Sequence, residues 1–380
     1  MKSPVFFLFA CFTIAGMSVF AQHPSKEILY TGSFSERGSK GIYVFQFDRT
    51  KGKLIELQTV SGGKDPSFLA IDPKGKYLYA IYGEGTLNKP REGSVMSFNI
   101  DPSTGMLTKL NEQSSEGRGP AHISIDPKGR FVYVSNYGSG TLAVYPVHKD
   151  GSLGKATDVI QDKGNGPHPN QKGPHVHSVI PSLDGKFIYV CDLGIDKVFI
   201  YQVEASGKLI PAKVPYVACP PGSGPRQFAI SPNGKYAYLV EELISNVVSF
   251  RRDSLTGGLT RLEHFEMLPK DFKERGSDAT VYVSPDNNFV YASHWGPGGL
   301  AIYAIHSATG KLTSVDNAGI QGTHPRDFCI DKNGEYIFMA NMGSDNLVVF
   351  KRDKITGKIT YTGEEAVVPS ISCIQQLFLF

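Results

Sequence analysis

A sixfold internal repeat constrains this chain more than any other feature. The stretch AIDPKGKYLYA, ending at Ala80, recurs as SIDPKGRFVYV to Val134, PSLDGKFIYV to Val190 and AISPNGKYAYLV to Val240, then as YVSPDNNFVYA to Ala292 and CIDKNGEYIFMA to Ala340. Each copy reads as a strand, a tight Asp/Pro/Asn/Gly turn and a second strand that alternates aromatic and apolar residues. The turn residues Gly75, Gly129, Gly185, Gly234, Asn287 and Gly334 lie 47 to 56 residues apart. A third strand follows each hairpin, as in TLAVYPV, KVFIYQV and NLVVFKR, and a Gly-Lys-Leu-type turn leads to a fourth, as in TGKLTSV. Four strands in about 50 residues is the pattern of a propeller blade.

The opening segment, ILYTGSF to GIYVFQFDRTKGKLIELQTV, carries only the last three strands of such a unit. The C-terminal VVPSISCIQQLFLF supplies the missing inner one. The prediction is an all-β, seven-bladed β-propeller with four antiparallel strands per blade, its ring closed by N- and C-terminal strands. One blade cannot bury both faces of its sheet, so blades must stack around an axis. With 41 Gly and 24 Pro the chain has the turns this needs. Its 39 basic and 36 acidic residues leave a formal charge of +3, which argues against nucleic acid as a partner, because phosphate binding needs a concentrated basic surface.

Residues 2–21 read KSPVFFLFACFTIAGMSVFA. Lys2, an apolar run from Val5 to Phe20 and the small-x-small end Val19-Phe20-Ala21 predict a signal peptide, residues 1–21, cleaved before Gln22. The mature domain is then 22–380, exported to a periplasm or secreted, with no stable membrane association after cleavage. The competing readings are an uncleaved anchor, since the apolar stretch almost spans a bilayer, and a lipoprotein signal at Leu8-Phe9-Ala10-Cys11. Cys191, Cys219, Cys329 and Cys373 remain in the mature chain, none with metal-ligand spacing. Neither a cofactor nor a metal is expected, and buried thiols are the expected state of these cysteines.

In a propeller the inner strand of each blade lines the central channel, and its hairpin returns the second strand to the same face. Two positions per blade therefore converge on one mouth. The first gathers Ser67, Ala121, His177, Arg226, Ala279 and Arg326, followed by Phe68, His122, Ser178, Gln227, Thr280 and Asp327. The second gathers Tyr82, Asn136, Asp192, Glu241, His294 and Asn341, with Gly83, Tyr137, Leu193, Glu242, Trp295 and Met342 beside them. Asn and Asp there suit turn capping. Two guanidinium groups at an inner rim require an anion, either a carboxylate such as Glu242 or a ligand. His175 and His177, two apart, share a face if extended, but no third ligand has a recognisable spacing.

The segments Pro174-His175-Val176-His177-Ser178, Gly224-Pro225-Arg226-Gln227-Phe228, Val240-Glu241-Glu242-Leu243 and Pro325-Arg326-Asp327-Phe328, with the closing VPSISCI, resemble the seven-bladed propeller lactonases of the bacterial 6-phosphogluconolactonase type. The resemblance covers essentially the whole mature chain. The same family includes fungal carboxy-cis,cis-muconate cyclases. It implies catalytic residues at His177, Arg226, Glu242 and Arg326. Substrate contacts are expected at His175, His122, Gln227, His294 and Trp295. This chain departs from the family pattern at Gln227, where the family often has His, at Thr280 and Tyr282, where it often has an acid and a histidine, and at Trp295, where Arg is common. The implied reaction is hydrolysis of a small-molecule, sugar-derived lactone by water, since no Gly-x-Ser-x-Gly elbow is present. Glu242 or His177 would be the base, and the two arginines would hold the oxyanion and the acidic end of the substrate. The rival readings are a cycloisomerase of the carboxy-muconate cyclase type and a non-catalytic exported binding propeller.

Overall fold

Each repeat hairpin closes on an acceptor side chain just before its turn. Asp331 Oδ1 accepts the backbone N–H groups of Glu335 and Tyr336 at 2.6 and 2.8 Å, and Asp72 and Asp126 act likewise. In the other three hairpins Ser182, Ser231 and Ser284 take this role, each Oγ accepting an N–H five residues on at 3.0 Å. The third turn residue lies in the left-handed region, with φ of 68° at Gly75 and 62° at Asn287. That conformation favours glycine and, next, asparagine, which accounts for both residue types at this position.

The computed structural model describes residues 26–84, 92–268, 272, 278–296 and 298–380. The expected signal peptide, residues 1–21, lies outside the described residues. Seven four-stranded antiparallel sheets form a seven-bladed propeller, with a single 3-10 turn, Glu242–Ile244, as the helical element among the described residues. The inner strands run Phe68–Ile71, Pro120–Ile125, Val176–Pro181, Pro225–Ile230, Asp278–Val283, Pro325–Ile330 and Ile371–Leu379. Each touches the next, and the last touches the first. The closing blade pairs Ile371–Leu379 with Lys26–Ser33, from Lys26 opposite Leu379 to Ser33 opposite Ile371, as the two chain ends predict.

Apolar faces meet between blades. Ile81 and Val95 pack with Val132, Val134 and Ala143 at one interface, and Tyr189, Ile200, Phe228 and Leu239 at another. The alternation of the second strand also sends tyrosine hydroxyls into these interfaces. Tyr30, Tyr79, Tyr189, Tyr238 and Tyr291 each donate to a glycine carbonyl in a turn of the neighbouring blade, at 2.6–3.2 Å. Each such buried bond contributes about 1 kcal/mol and fixes the blade-to-blade register. The four cysteines are free thiols, three of them buried.

One recurring irregularity shapes the channel mouth. The inner-strand register slips between Pro120 and His122, Val176 and Ser178, Pro225 and Gln227, Asp278 and Val281, and Pro325 and Asp327. A bulge leaves an extra residue outside the ladder and re-aims its side chain. The residues it frees in three of these blades are His177, Arg226 and Arg326.

Candidate active site

The bulges and the ends of the second strands enclose a cavity of about 430 Å³ at one mouth of the channel. Seven of the residues expected to form a site line it: His122, His177, Arg226, Gln227, Glu242, Trp295 and Arg326. Two do not. His294 is fully buried, with its Nε2 2.9 Å from Asn317 Oδ1 on its own blade. His175 stands behind the wall, stacked on the Tyr137 ring at 4.3 Å and 15°. Neither histidine lines this cavity: His294 bonds within its own blade, and His175 supports the Tyr137 ring. The cavity also takes in Phe34, Asp65, Ser67 and Tyr137. Glu241, which ends the strand before Glu242, turns away and pairs with Arg261 at 2.9 and 3.2 Å. Asn136 and Asn341 do not cap their own turns: each Nδ2 donates to a backbone carbonyl 21 residues back, Ser115 at 2.8 Å and Ile320 at 3.1 Å.

The two arginines differ in their partners. Arg226 Nε lies 2.7 Å from Glu242 Oε2, with Arg226 buried and Glu242 half-buried. The Arg326 guanidinium sits 5.2 Å above the Phe34 ring, with no ion pair or hydrogen bond among the described residues. Burial and then the nearby Arg226 charge pull Arg326 below its ordinary value to about 10, against the opposing pull of Glu242 and Asp327. Burial pushes the Glu242 carboxyl above its ordinary range, while Arg226 and Arg326 pull it back. Burial, reinforced by the arginine charges, drives His177 far below 6.5 and His122 to about 3. Both imidazoles are therefore neutral at pH 7. His177 Nδ1 and Trp295 Nε1 are buried without a hydrogen-bond partner among the described residues. The Trp295 indole is stacked on His324 at 4.5 Å.

This arrangement brings together a carboxyl group, an arginine without an ion pair, neutral imidazoles and an indole whose N–H has no hydrogen-bond partner among the described residues. It can activate water and stabilise negative charge developing on a small polar substrate. Among the described residues no cluster of three or more His, Cys, Asp or Glu is placed to hold a metal ion. No helix among them is long and apolar enough to cross a membrane.

Residues 28–376 match the family model described as lactonase, 7-bladed beta-propeller. The chain is 32% identical to a 6-phosphogluconolactonase of Bacillus subtilis over 353 residues, 93% of this chain and 99% of that one. It is 35% identical to a 6-phosphogluconolactonase of Formosa agariphila, covering 91% and 98%. Among solved structures, the periplasmic gluconolactonase of Pseudomonas aeruginosa superposes with a TM-score of 0.86 at 31% identity, covering 94% of this chain and all of that one.

Proposed function

The chain belongs to the seven-bladed β-propeller lactonase family, and from that premise we propose that it hydrolyses a sugar-derived lactone to its hydroxy acid by attack of water. The observation that carries this reading is the asymmetry of the two arginines. Arg226 is ion-paired with Glu242, whereas Arg326, half-buried, makes no ion pair among the described residues. A partly desolvated cation with no ion-pair partner is costly to hold in place. The same cation, already in place, stabilises an oxyanion as it forms.

In this mechanism Glu242 takes a proton from water, and the water oxygen adds to the lactone carbonyl carbon. The carbonyl oxygen gains negative charge against Arg326. Collapse re-forms the carbonyl and breaks the bond to the ring oxygen, which takes up a proton as Glu242 gives up the one it removed, freeing the hydroxy acid. Arg226 orients Glu242 and, with Arg326, favours its ionised form. Burial and the arginine charges weaken His177 as a base, and its role here is to bond a substrate hydroxyl through Nδ1. His122, Gln227 and Trp295 contact the rest of the sugar.

The test is acid release by the purified protein from phosphorylated and unphosphorylated aldonolactones, corrected for spontaneous opening. Saturable turnover of either supports the reading, and the ratio of kcat/KM values assigns the substrate. Lactone formation from an unsaturated dicarboxylate with no aldonolactone turnover would favour the cycloisomerase. Sugar-acid binding without turnover of any kind would favour the binding propeller.

A further inference from the structure

Tyr137 lies one residue beyond the second strand of its blade, at the position that Glu242 and Trp295 occupy in theirs. Its side chain enters the same cavity. No other phenol lines this cavity among the described residues. The ring meets the edge of His177 at 5.7 Å. Its hydroxyl is within electrostatic reach of Glu242, Arg226 and Arg326. Burial, and next the Glu242 charge, raise the phenol above its ordinary 10, so it keeps its proton at neutral pH.

The ring is held from behind. His175 stacks on it, and His175 Nδ1 lies 2.9 Å from the Tyr137 carbonyl oxygen. The His175 backbone N–H donates to Asp192 Oδ1 at 2.8 Å, and Asp192 is fully buried. The Tyr137 N–H donates to the Gly119 carbonyl at 2.9 Å. Backbone and ring are thus both anchored at the cavity wall. Ordering of this kind is what a proton donor needs, because the donor must already be in place when the bond breaks.

We propose that Tyr137 is the general acid that protonates the departing ring oxygen, and that His175 is its positioning residue. The inference rests on the lactone hydrolysis argued above and adds the half of the reaction that Glu242 does not supply. When the tetrahedral intermediate collapses, the carbonyl–ring oxygen bond breaks and the Tyr137 O–H proton passes to that oxygen, giving the alcohol. The phenolate then recovers the proton that Glu242 took from water. One water is consumed, and both residues return to their starting states. Until that proton returns, Arg226 and Arg326 stabilise the phenolate.

The test is a series of lactones whose departing oxygen runs from an alkoxide to a phenolate, with Tyr137→Phe compared to wild type over the members that wild type turns over. Phenylalanine keeps the ring, the stack and the fold. The expected result for Tyr137→Phe is a kcat lower by about 100-fold or more on the alkyl lactones, a KM within about threefold, and a loss that shrinks as the leaving oxygen becomes more acidic. His175→Phe keeps a stacked ring but removes the bond to the Tyr137 carbonyl. It should show a smaller kcat loss with the same leaving-group trend. Equal loss along the whole series, a change in KM alone, or no change in Tyr137→Phe overturns the inference while leaving lactone hydrolysis intact. A wild-type protein that opens no lactone overturns both.

Discussion

Arg326→Met separates catalysis from folding more sharply than any other single change in the cavity. In the wild type the guanidinium is held at about 10, well below its ordinary value, by burial and by Arg226, a cost of about 3 kcal/mol for keeping it charged. Against that stands the contact with the Phe34 ring at 5.2 Å, which contributes about 1 kcal/mol. Methionine fills most of the same volume without charge. The variant should therefore be as stable as wild type or up to about 2 kcal/mol more stable. Its urea midpoint should be unchanged or higher, with the same m-value. Loss of one preorganised oxyanion donor costs about 3 kcal/mol of transition-state stabilisation, so kcat on the best lactone should fall 100- to 1000-fold. Arg226→Met is the control. It leaves the Glu242 carboxylate without its partner and should cost about 1–3 kcal/mol of stability as well as activity. An Arg326→Met protein that loses more than 2 kcal/mol of stability yet keeps turnover within threefold of wild type would refute the reasoning, since Arg326 would then be a structural cation.

Other outcomes follow from the buried groups and the ring closure. His122 is held near 3 in the fold against about 6.5 in the unfolded chain, so its contribution to stability is present above pH 6.5 and is lost as pH falls toward 3; His122→Gln should flatten that part of a melting-temperature profile. Asp162 is raised by burial and by the adjoining Asp192 carboxylate; the fold retains a proton that the unfolded chain releases near pH 4, and stability falls as pH rises above that. Asp162→Asn should therefore melt above wild type at pH 8, with the gap closing by pH 5. Deleting residues 371–380 removes the buried Ile371, Ile374, Leu377, Phe378 and Leu379, roughly 7–15 kcal/mol of apolar burial. That rivals the total stability of a typical protein, so the truncated chain should show no cooperative transition by circular dichroism. N-terminal mass spectrometry of the native protein should find Gln22 first, and a chain that still carries Lys2 would contradict cleavage.

The ring was legible because each blade repeats its own turn chemistry, and because the missing strand at one chain end is matched by a spare strand at the other. The mouth was legible in register but not in direction. Counting back from Gly185, Gly234 and Gly334 reaches His177, Arg226 and Arg326, yet nothing in those segments announces a bulge, which exists only once two strands are paired. His294 shows the converse. It ends its strand at a position facing the mouth in sequence, but Asn317 from the outer strand of the same blade captures its ring. That is a tertiary contact no local pattern encodes. Tyr137 was within reach of the sequence. The position after each second strand was already marked by Glu242 and Trp295, and applying the same rule to the blade that ends at Asn136 finds the phenol. What the rule could not supply is the His175 stack, because His175 belongs to the next blade.

The account stands most directly on acid release from an aldonolactone at constant pH, measured for the wild-type chain and for Arg226→Met/Arg326→Met, with folding of both verified by circular dichroism. The wild type should open the lactone far above the spontaneous rate, and the double variant should match the spontaneous rate. Equal acceleration by both proteins would place the chemistry outside this cavity, and no acceleration by the wild type on any aldonolactone would contradict the lactonase reading itself.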